Sequence, residues 1–557
     1  MIDEAALEVF EERAENLSDE DFLNWTARAP HEAQIVRQLT SSGPKLLSGP
    51  RGCGKSTLLR TAAIELRSRG KSVPVEVNFG RSMFIEPAFT RRSDADGFFQ
   101  DWLISKLVEG AASAFERAGH GAVVPTELLE RAADFVVQAE VDSDLPRQNL
   151  PGPVQLSKLL TQWAQTSGFT SVILLLDDAA HAFVPEQQRI FFEVLRGLRS
   201  PSVTYKAAIY PGVTEFSPNF HIGHDAKVVR AWVPVEGSGY IEFMRSAYDR
   251  RIPDEIRPSI PHEVVDFFAV SSFGIPRAFF SMLEAYLEAR RPDTGKKPRV
   301  PLAVVNEHSD SLHVLHRSLA VKLPRYEGYV SAGNQVLRNA IKELRDLNEK
   351  RATNKQEDSA IDLAVRQPVD AKLSTVFGLL EYAGLVRNTN ESISLGDYTY
   401  SKYSIHGSLL VSGGALKFGQ NPTLQDRVDA LLRGSRTGTY KRISSTALLD
   451  EEAAEQCHLK VGSCPSCGTP RPSETAKFCA NCGQALVDSS RLGELLATSI
   501  SDLSLTENKK QALLEVGVTT IETVVRDRGL VEISKAKGVG TVWARRIFSL
   551  AEEYVGV

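Results

Sequence analysis

The chain has 557 residues, room for roughly three to five domains. Acidic side chains outnumber basic ones 70 to 65 and apolar residues make up 42%, which excludes bulk attraction to nucleic acid and suits a globular protein. No apolar run reaches the roughly 18 residues of a membrane-spanning helix, so no membrane partner is expected.

The opening stretch "MIDEAALEVFEERAENLSDEDF" is acidic and amphipathic, unlike a secretory leader. A cytoplasmic protein with reduced or metal-bound cysteines is therefore expected. From Leu46 to about Arg290 short apolar runs alternate with longer amphipathic stretches, which predicts an α/β fold with a parallel sheet. Strands are expected at 45–49, 72–79, 171–177, 205–210 and 227–235, and a long helix at 97–119. Beyond Pro234 the chain reads as helical, and "RPDTGKKPRVP" (291–301) reads as a linker.

Between the first strand and the first helix of this pattern lies "LLSGPRGCGKSTLLR". Its run Gly49, Pro50, Arg51, Gly52, Cys53, Gly54, Lys55, Ser56 fits G-x-x-x-x-G-K-[ST] in full. Glycines let backbone N–H groups converge on phosphates without Cβ clashes. Lys55 then adds a charge between the β- and γ-phosphates of ATP, and Ser56 ligates Mg²⁺. The helix from Thr57 aims its positive end at the same point. Cys53 reads as a small filler.

A second element should follow, and "VILLLDDAAHAF" supplies it, with an apolar run directly before Asp177 and Asp178. A strand buried on both faces delivers both carboxylates to the phosphate side of the sheet. Asp177 is placed to hold Mg²⁺ through water, and Asp178 stands where a water-orienting group is wanted. On the next strand Tyr210 or Thr214 would lie beside the phosphate, with simple packing as the equal alternative. "SSFGIPRAFF" (271–280) begins a helix from which Arg277 reaches the γ-phosphate. The catalytic candidates are thus Lys55, Asp178 and Arg277, and the nucleotide-holding set is Gly49 through Thr57 with Asp177.

Residues from about Val304 to Ala364 read as helical. "DAKLSTVFGLLEYAGLV" (370–386) predicts a helix, followed by strands at "VRNTNESISL" and "YTYSKYSIH". This is how a winged-helix module reads, or equally any small α+β unit. The helix offers Lys372 as its one cation, a poor supply for reading a DNA groove. Contact with protein, or coupling to nucleotide state, is at least as well supported.

"CPSCGTPRPSETAKFCANCG" places Cys464, Cys467, Cys479 and Cys482 in two C-x-x-C-G knuckles. Two such knuckles supply four thiolates, the set for a structural Zn²⁺. A pair of redox motifs would need a βαβ context that is missing; an iron–sulfur cluster is the remaining alternative, though such clusters usually use other spacings. The segment resembles a double-knuckle zinc ribbon, a unit that depends on its metal because it has almost no core. Cys457 and His458, just upstream, read as bystanders. The tail from about Leu492 resembles a helix-hairpin-helix unit. Its Gly538-Val539-Gly540 hairpin is flanked by Lys535, Lys537, Arg545 and Arg546, a surface for DNA or RNA phosphates or for protein.

The order of phosphate loop, extra strand, "LLLDD" and "FGIPRAFF" resembles AAA+ ATPases, in the branch that holds origin-recognition initiators and STAND signalling ATPases. The resemblance covers roughly residues 20–290. It implies a nucleotide-binding α/β domain (1–235) and a helical lid (236–300). A helical and winged-helix-like domain (301–420), a zinc ribbon (455–487) and a helix-hairpin-helix-like domain (492–557) complete the expected layout. It makes Gly49–Ser56 the Walker A residues, Asp177 and Asp178 the Walker B pair, and Arg277 the lid's sensor arginine. The chain departs from the pattern in three ways: aspartate at 178 instead of glutamate, no clear asparagine as first sensor, and no obvious arginine finger. Arg196, Arg199 and Arg230 are candidates for the last. The implied activity is a slow, Mg²⁺-dependent ATP hydrolase, a switch that assembles with itself, on nucleic acid or on a partner. The alternative is a STAND-like signalling or phage-defence ATPase that binds proteins.

Overall fold

The computed structural model describes residues 17–556, apart from 179–181, 183, 289–299, 357, 419–421, 437–438, 461, 472–475, 477, 487–489 and 504. The expected linker therefore falls mostly outside the described residues. Its end at Pro301 opens the helix Pro301–Lys322.

Five parallel strands form the first sheet: β1 (Lys45–Ser48), β2 (Ser72–Asn78), β3 (Ser171–Asp177), β4 (Val203–Ile209) and β5 (Lys227–Arg230). Their order across the sheet is β2-β3-β4-β1-β5. Alternation along β3 splits its side chains between two layers. Ile173 and Leu175 join Leu47, Ala208 and Val229 against the helices Glu32–Thr40 and Lys55–Arg69. Val172, Leu174 and Leu176 face the other layer, with Phe98, Trp102, Phe191 and Phe192. Covered on both sides, β3 is apolar from Val172 to Leu176, which is why it was readable, whereas β4 keeps a buried Lys206 whose ammonium donates to the Ser41 and Gly43 carbonyls at 2.6 Å.

Register brings the carboxyl ends of the strands to one edge, since Asn78 lies opposite Asp177, and Ser48 lies opposite both Ile209 and Arg230. That edge carries the phosphate loop. The last strand is shorter than its apolar run suggested. Beyond Arg230 the chain leaves the sheet, and the Trp232 indole N–H donates to the Phe273 carbonyl at 2.7 Å instead.

The region after the sheet is helical as expected: Tyr240–Arg251, His262–Ser271 and Pro276–Glu288. Two long helices follow, Pro301–Lys322 and Glu327–Thr353. The helical reading to Ala364 needs correction at its end, because β6 (Asp362–Arg366) is an extended strand. It is the buried centre of a mixed sheet with β7 (Val386–Leu395), β8 (Tyr398–Ile405) and β9 (Tyr440–Ile443), in the order β7-β8-β6-β9. Burial between two neighbouring strands outweighs the helix propensity of its Leu363 and Ala364.

The helix Ala371–Tyr382 of this unit is begun by Asp370, whose side chain accepts from the Lys372 and Leu373 amides. It lies against the segment that follows β4 rather than in solvent. A Cβ added to Gly212, at φ +73°, would come to 2.1 Å from the Gly378 carbonyl carbon. Lys372 is also engaged, donating to the Ala454 carbonyl.

The cysteine segment follows, and the chain ends in a helical unit of Arg491–Leu496, Glu507–Glu515, Ile521–Arg526 and Thr541–Val555. Among the described residues no helix is long and apolar enough to cross a membrane.

Candidate functional site

The loop between β1 and the helix Lys55–Arg69 turns on two glycines in the left-handed region, Gly52 at φ +77° and Gly54 at φ +94°. A side chain at either would be strained. At Gly52 a Cβ would also meet the Arg277 Cβ at 2.8 Å. Lys55 is buried, and its Nζ donates to the carbonyls of Gly49 and Pro50 at 2.9 Å each, over the Tyr210 ring at 3.8 Å. Burial pushes the Lys55 ammonium below its usual value, while Cys53, Asp178 and Asp177 pull the other way. Ser56 faces solvent at the head of the helix. Cys53 is buried against Gly49, and burial raises its thiol, as expected for a filler.

Asp177 ends β3 and accepts from the Asp178 amide through Oδ1 at 3.0 Å. Asp178 follows at φ +48°, an uncommon conformation for a residue with a side chain. The Tyr210 hydroxyl donates to Asp178 Oδ1 at 2.6 Å. Burial and then Asp178 raise the Tyr210 phenol well above its usual value, so it stays a donor. Thr214 is elsewhere: its hydroxyl closes a turn onto the Tyr210 carbonyl at 2.8 Å. Asn78, opposite Asp177 in register, accepts from the Gly80 amide at 2.6 Å. A Cβ on Gly80 would lie 2.9 Å from Asn78 Oδ1 and 3.2 Å from Asp178 Oδ2, so Asn78 belongs to the same cluster. Sequence reasoning passed over it, because β2 also carries Glu76 and nothing local sets Asn78 apart.

One cavity of about 790 Å³ joins these groups, reaching from the phosphate loop, Asp177, Asp178 and Tyr210 to an apolar end with Trp25, Ile35, Trp232 and Phe280. A lining that joins a glycine-rich loop at a helix start, two carboxylates and several rings and aliphatic side chains fits a nucleotide with its metal. Arg277, on the helix Pro276–Glu288, lines the cavity too, with its amide directed at the Gly52 carbonyl at 3.4 Å.

Two further groups in this cavity were not foreseen: Glu552 and Glu553, from the C-terminal helix Thr541–Val555. Glu553 Oε1 accepts from Arg277 at 2.6 Å, and Glu552 pairs with Arg81 at 3.2 Å. Nothing in the amphipathic pattern of that helix sets these carboxylates apart from a solvated face.

The arginine-finger candidates have partners within the chain. Arg196 pairs with Glu193 at 3.0 Å, Arg199 lies 3.8 Å from Asp225, and Arg230 donates to the Asn388 carbonyl at 2.5 Å.

The four cysteines come together. Their sulfurs lie within 4.8 Å of one another, with Cys464 and Cys482 at 3.6 Å and Cys467 and Cys479 at 3.5 Å. Four thiolates at about 2.3 Å from one ion would stand roughly 3.8 Å apart, so the set fits zinc. Each knuckle closes the same way: Gly468 N donates to Cys464 O at 2.8 Å and Gly483 N to Cys479 O at 3.0 Å. The turn glycines sit at φ +71° and +70°. Hydrogen bonding with Thr469 lowers the Cys467 thiol, while at Cys482 a backbone hydrogen bond with Gln484 is outweighed by the neighbouring thiols, which raise it. Cys457 is buried in the main core and His458 is exposed, and neither belongs to the cluster.

The hairpin cations are only partly as expected. Lys537 and Arg545 are exposed. Lys535 pairs with Glu532 at 2.6 Å, and Arg546 makes a two-pronged pair with the buried Glu284 of the lid. In this pair Arg546 is engaged within the chain.

A family profile described as ORC-CDC6-like matches residues 9–78, which include the phosphate loop. No curated protein matches the chain by sequence. Among solved structures, a Walker-type ATPase of Pyrococcus abyssi shares 15% identity, with 73% of this chain and 99% of that one covered and a TM-score of 0.36. Cdc6p of Pyrobaculum aerophilum gives 15% identity, coverage of 75% and 99%, and a TM-score of 0.32. The Orc1 protein of Aeropyrum pernix, solved in complex with DNA, gives 15%, 74% and 95%, and 0.29.

Proposed function

We propose that the chain is an AAA+ type ATP-dependent switch, a slow Mg²⁺-dependent ATP hydrolase that acts through its C-terminal modules. The observation that carries this reading is the convergence of four groups on one cavity: the phosphate loop, the strand-end pair Asp177 and Asp178, and the lid residue Arg277. The division into nucleotide domain (1–235), lid (236–300), helical and winged-helix-like domain (301–420), ribbon (455–487) and C-terminal unit (492–557) belongs to the same proposal.

In it, amides of Gly49–Thr57 cradle the phosphates, and Lys55 exchanges its two loop carbonyls for phosphate oxygens. Ser56 and Asp177 hold the metal, and Arg277 meets the terminal phosphate. Bound Mg·ATP supplies an electrophilic phosphoryl group. Asp178, oriented by Tyr210, positions the attacking water. Its carboxylate is one methylene shorter than glutamate's, and misplacement near reacting atoms costs on the order of 10²-fold per 1 Å. Slow turnover in the isolated chain follows, with acceleration when an arginine arrives from a neighbouring copy. The four thiolates hold Zn²⁺ as a structural ion.

For the partner, the engagement of Lys372, Lys535 and Arg546 within the chain supports a protein-binding switch over a nucleic-acid binder, because fewer cations remain for phosphates. The test is titration of Mg·ATP into the parent and into Lys55→Ala, with turnover measured alongside. Expected are binding that falls at least about 10²-fold in the variant, and parent turnover well below one per second. Equal binding by both proteins, or many turnovers per second by a dilute monomer, defeats the reading.

A further inference from the structure

The C-terminal helix Thr541–Val555 is built into the nucleotide cavity, not laid loosely beside it. Its apolar face is buried through Ala544, Ile547, Ala551 and Val555. Its polar face is held at both ends: Arg546 by Glu284 of the lid, and the Glu553 and Gly556 carbonyls by the ammonium of Lys322. The unit it belongs to is fastened to the nucleotide domain as well. Glu86 accepts from the Ser490 hydroxyl at 2.6 Å and from the Arg491 amide at 3.0 Å, and Glu140 takes Arg528 at 2.5 Å. Glu553 is thereby fixed at the phosphate end.

There its carboxylate is a negative charge 2.6 Å from the Arg277 guanidinium, and Arg277 itself abuts the phosphate loop at Gly52. A carboxylate and a phosphate oxygen ask the same thing of a guanidinium, a short charge-assisted hydrogen bond. The guanidinium has donors for more than one partner, but two anions side by side in a half-buried cavity repel. Arg51 lies in the same field: burial opposes its charge, and the Glu553 and Asp178 carboxylates favour it.

We propose that Glu553 sets nucleotide specificity: its carboxylate takes the lid arginine in place of a terminal phosphate, so the docked chain prefers a nucleoside diphosphate and a triphosphate must displace the C-terminal helix. This rests on the phosphate-loop reading above. A ligand that must break a contact binds less tightly by the cost of breaking it, and shifts the population toward the released form to the same extent. Nucleotide class and exposure of the C-terminal unit are in this way one equilibrium.

The test uses the full chain. Affinities for Mg·ADP and Mg·ATP are measured by calorimetry for the parent, Glu553→Gln and Lys55→Ala, and hydrogen exchange is followed over residues 541–555. Glutamine keeps the shape and removes the charge. Expected is an ATP affinity raised about tenfold in Glu553→Gln, with ADP changed less than about twofold. In the parent, ATP but not ADP should speed exchange in the C-terminal helix. If both nucleotides bind in a Lys55-dependent way but their ratio is the same in Glu553→Gln, the specificity role is overturned and the phosphate-loop reading stands. Equal protection of the helix by ADP and ATP in the parent overturns it as well, even if the variant does not fold. Binding of neither nucleotide to parent or Glu553→Gln overturns both.

Discussion

The phosphate site and the cysteine site are both small ligand cradles, but they are held in place by opposite means. The phosphate loop hangs from the edge of a sheet whose two faces are covered by helices, and β1, β2, β3 and β4 all deliver residues to it. Its shape is a consequence of a large core. The cysteine segment has a buried cluster of Cys464, Cys479 and Leu486 with Ala476 beside it, and its ligands are most of what it buries. One site would keep its form without its ligand; the other would have little reason to.

The sharpest way to break this contrast is to remove the metal. Replacing Cys464 and Cys467 with serine should unfold the segment, since structural zinc contributes on the order of 10 kcal/mol to units of this kind. The parent should carry about one zinc per chain by elemental analysis, and the variant none. Affinity for Mg·ATP should stay within about twofold. Iron in place of zinc, or loss of ATP binding with the metal, would end the separation of the two sites.

At the phosphate site the matching experiment changes chemistry without changing the fold. Asp178→Asn should lower turnover on the order of 10²-fold and leave ATP binding within a few-fold. An unfolding midpoint that moves with turnover would mean the cluster around Tyr210 and Asn78 supports the core rather than the reaction.

A third, milder probe is acid. Burial lowers His308 and His316 to about 4, and burial with His308 nearby lowers His406 further. The unfolded chain takes up these protons near pH 6.5, before the folded one does, so stability falls as pH drops from about 6.5 toward 4. Each unit of such a shift is worth about 1.4 kcal/mol. His308 and His316 lie in the helix Pro301–Lys322, and His406 directly follows β8. Melting followed by tryptophan fluorescence should show the midpoint falling across that window, and the fall should be smaller in His316→Gln. The smallest effect is expected from Lys537→Ala with Arg545→Ala. If the hairpin touches duplex DNA, the slope of log affinity against log salt should flatten by about 0.9 for each phosphate no longer neutralised. No change is expected if it serves protein.

What could be read ahead of the structure follows from the range over which each feature is determined. Gly49–Ser56 and the cysteine knuckles are local chemistry, complete within one turn of chain, and were legible at once. The central strand ending at Asp177 was legible because burial on both faces leaves an unbroken apolar run. By contrast, β6 and the four-residue β9 take their form from pairing partners far along the chain. Asn78 matters through its register opposite Asp177, and Arg546 and Glu553 through a docking event about 270 residues from the lid they touch. Such features have no local signature, so a charged helix face looks the same whether water or an arginine lies against it.

The meeting of Gly212 and Gly378 has a mechanical meaning. Gly212 stands two residues past Tyr210, and Gly378 is in the middle of the helix Ala371–Tyr382, whose Tyr382 ring lies 5.6 Å from that of Tyr210. Where two segments touch through side chains, a small displacement of one is absorbed by a change of rotamer in the other. Here main chain rests on main chain, and there is no rotamer to give way. Interiors packed to this density are nearly incompressible. A displacement of the segment after β4 toward that helix therefore meets its main chain with no side chain between the two to absorb it.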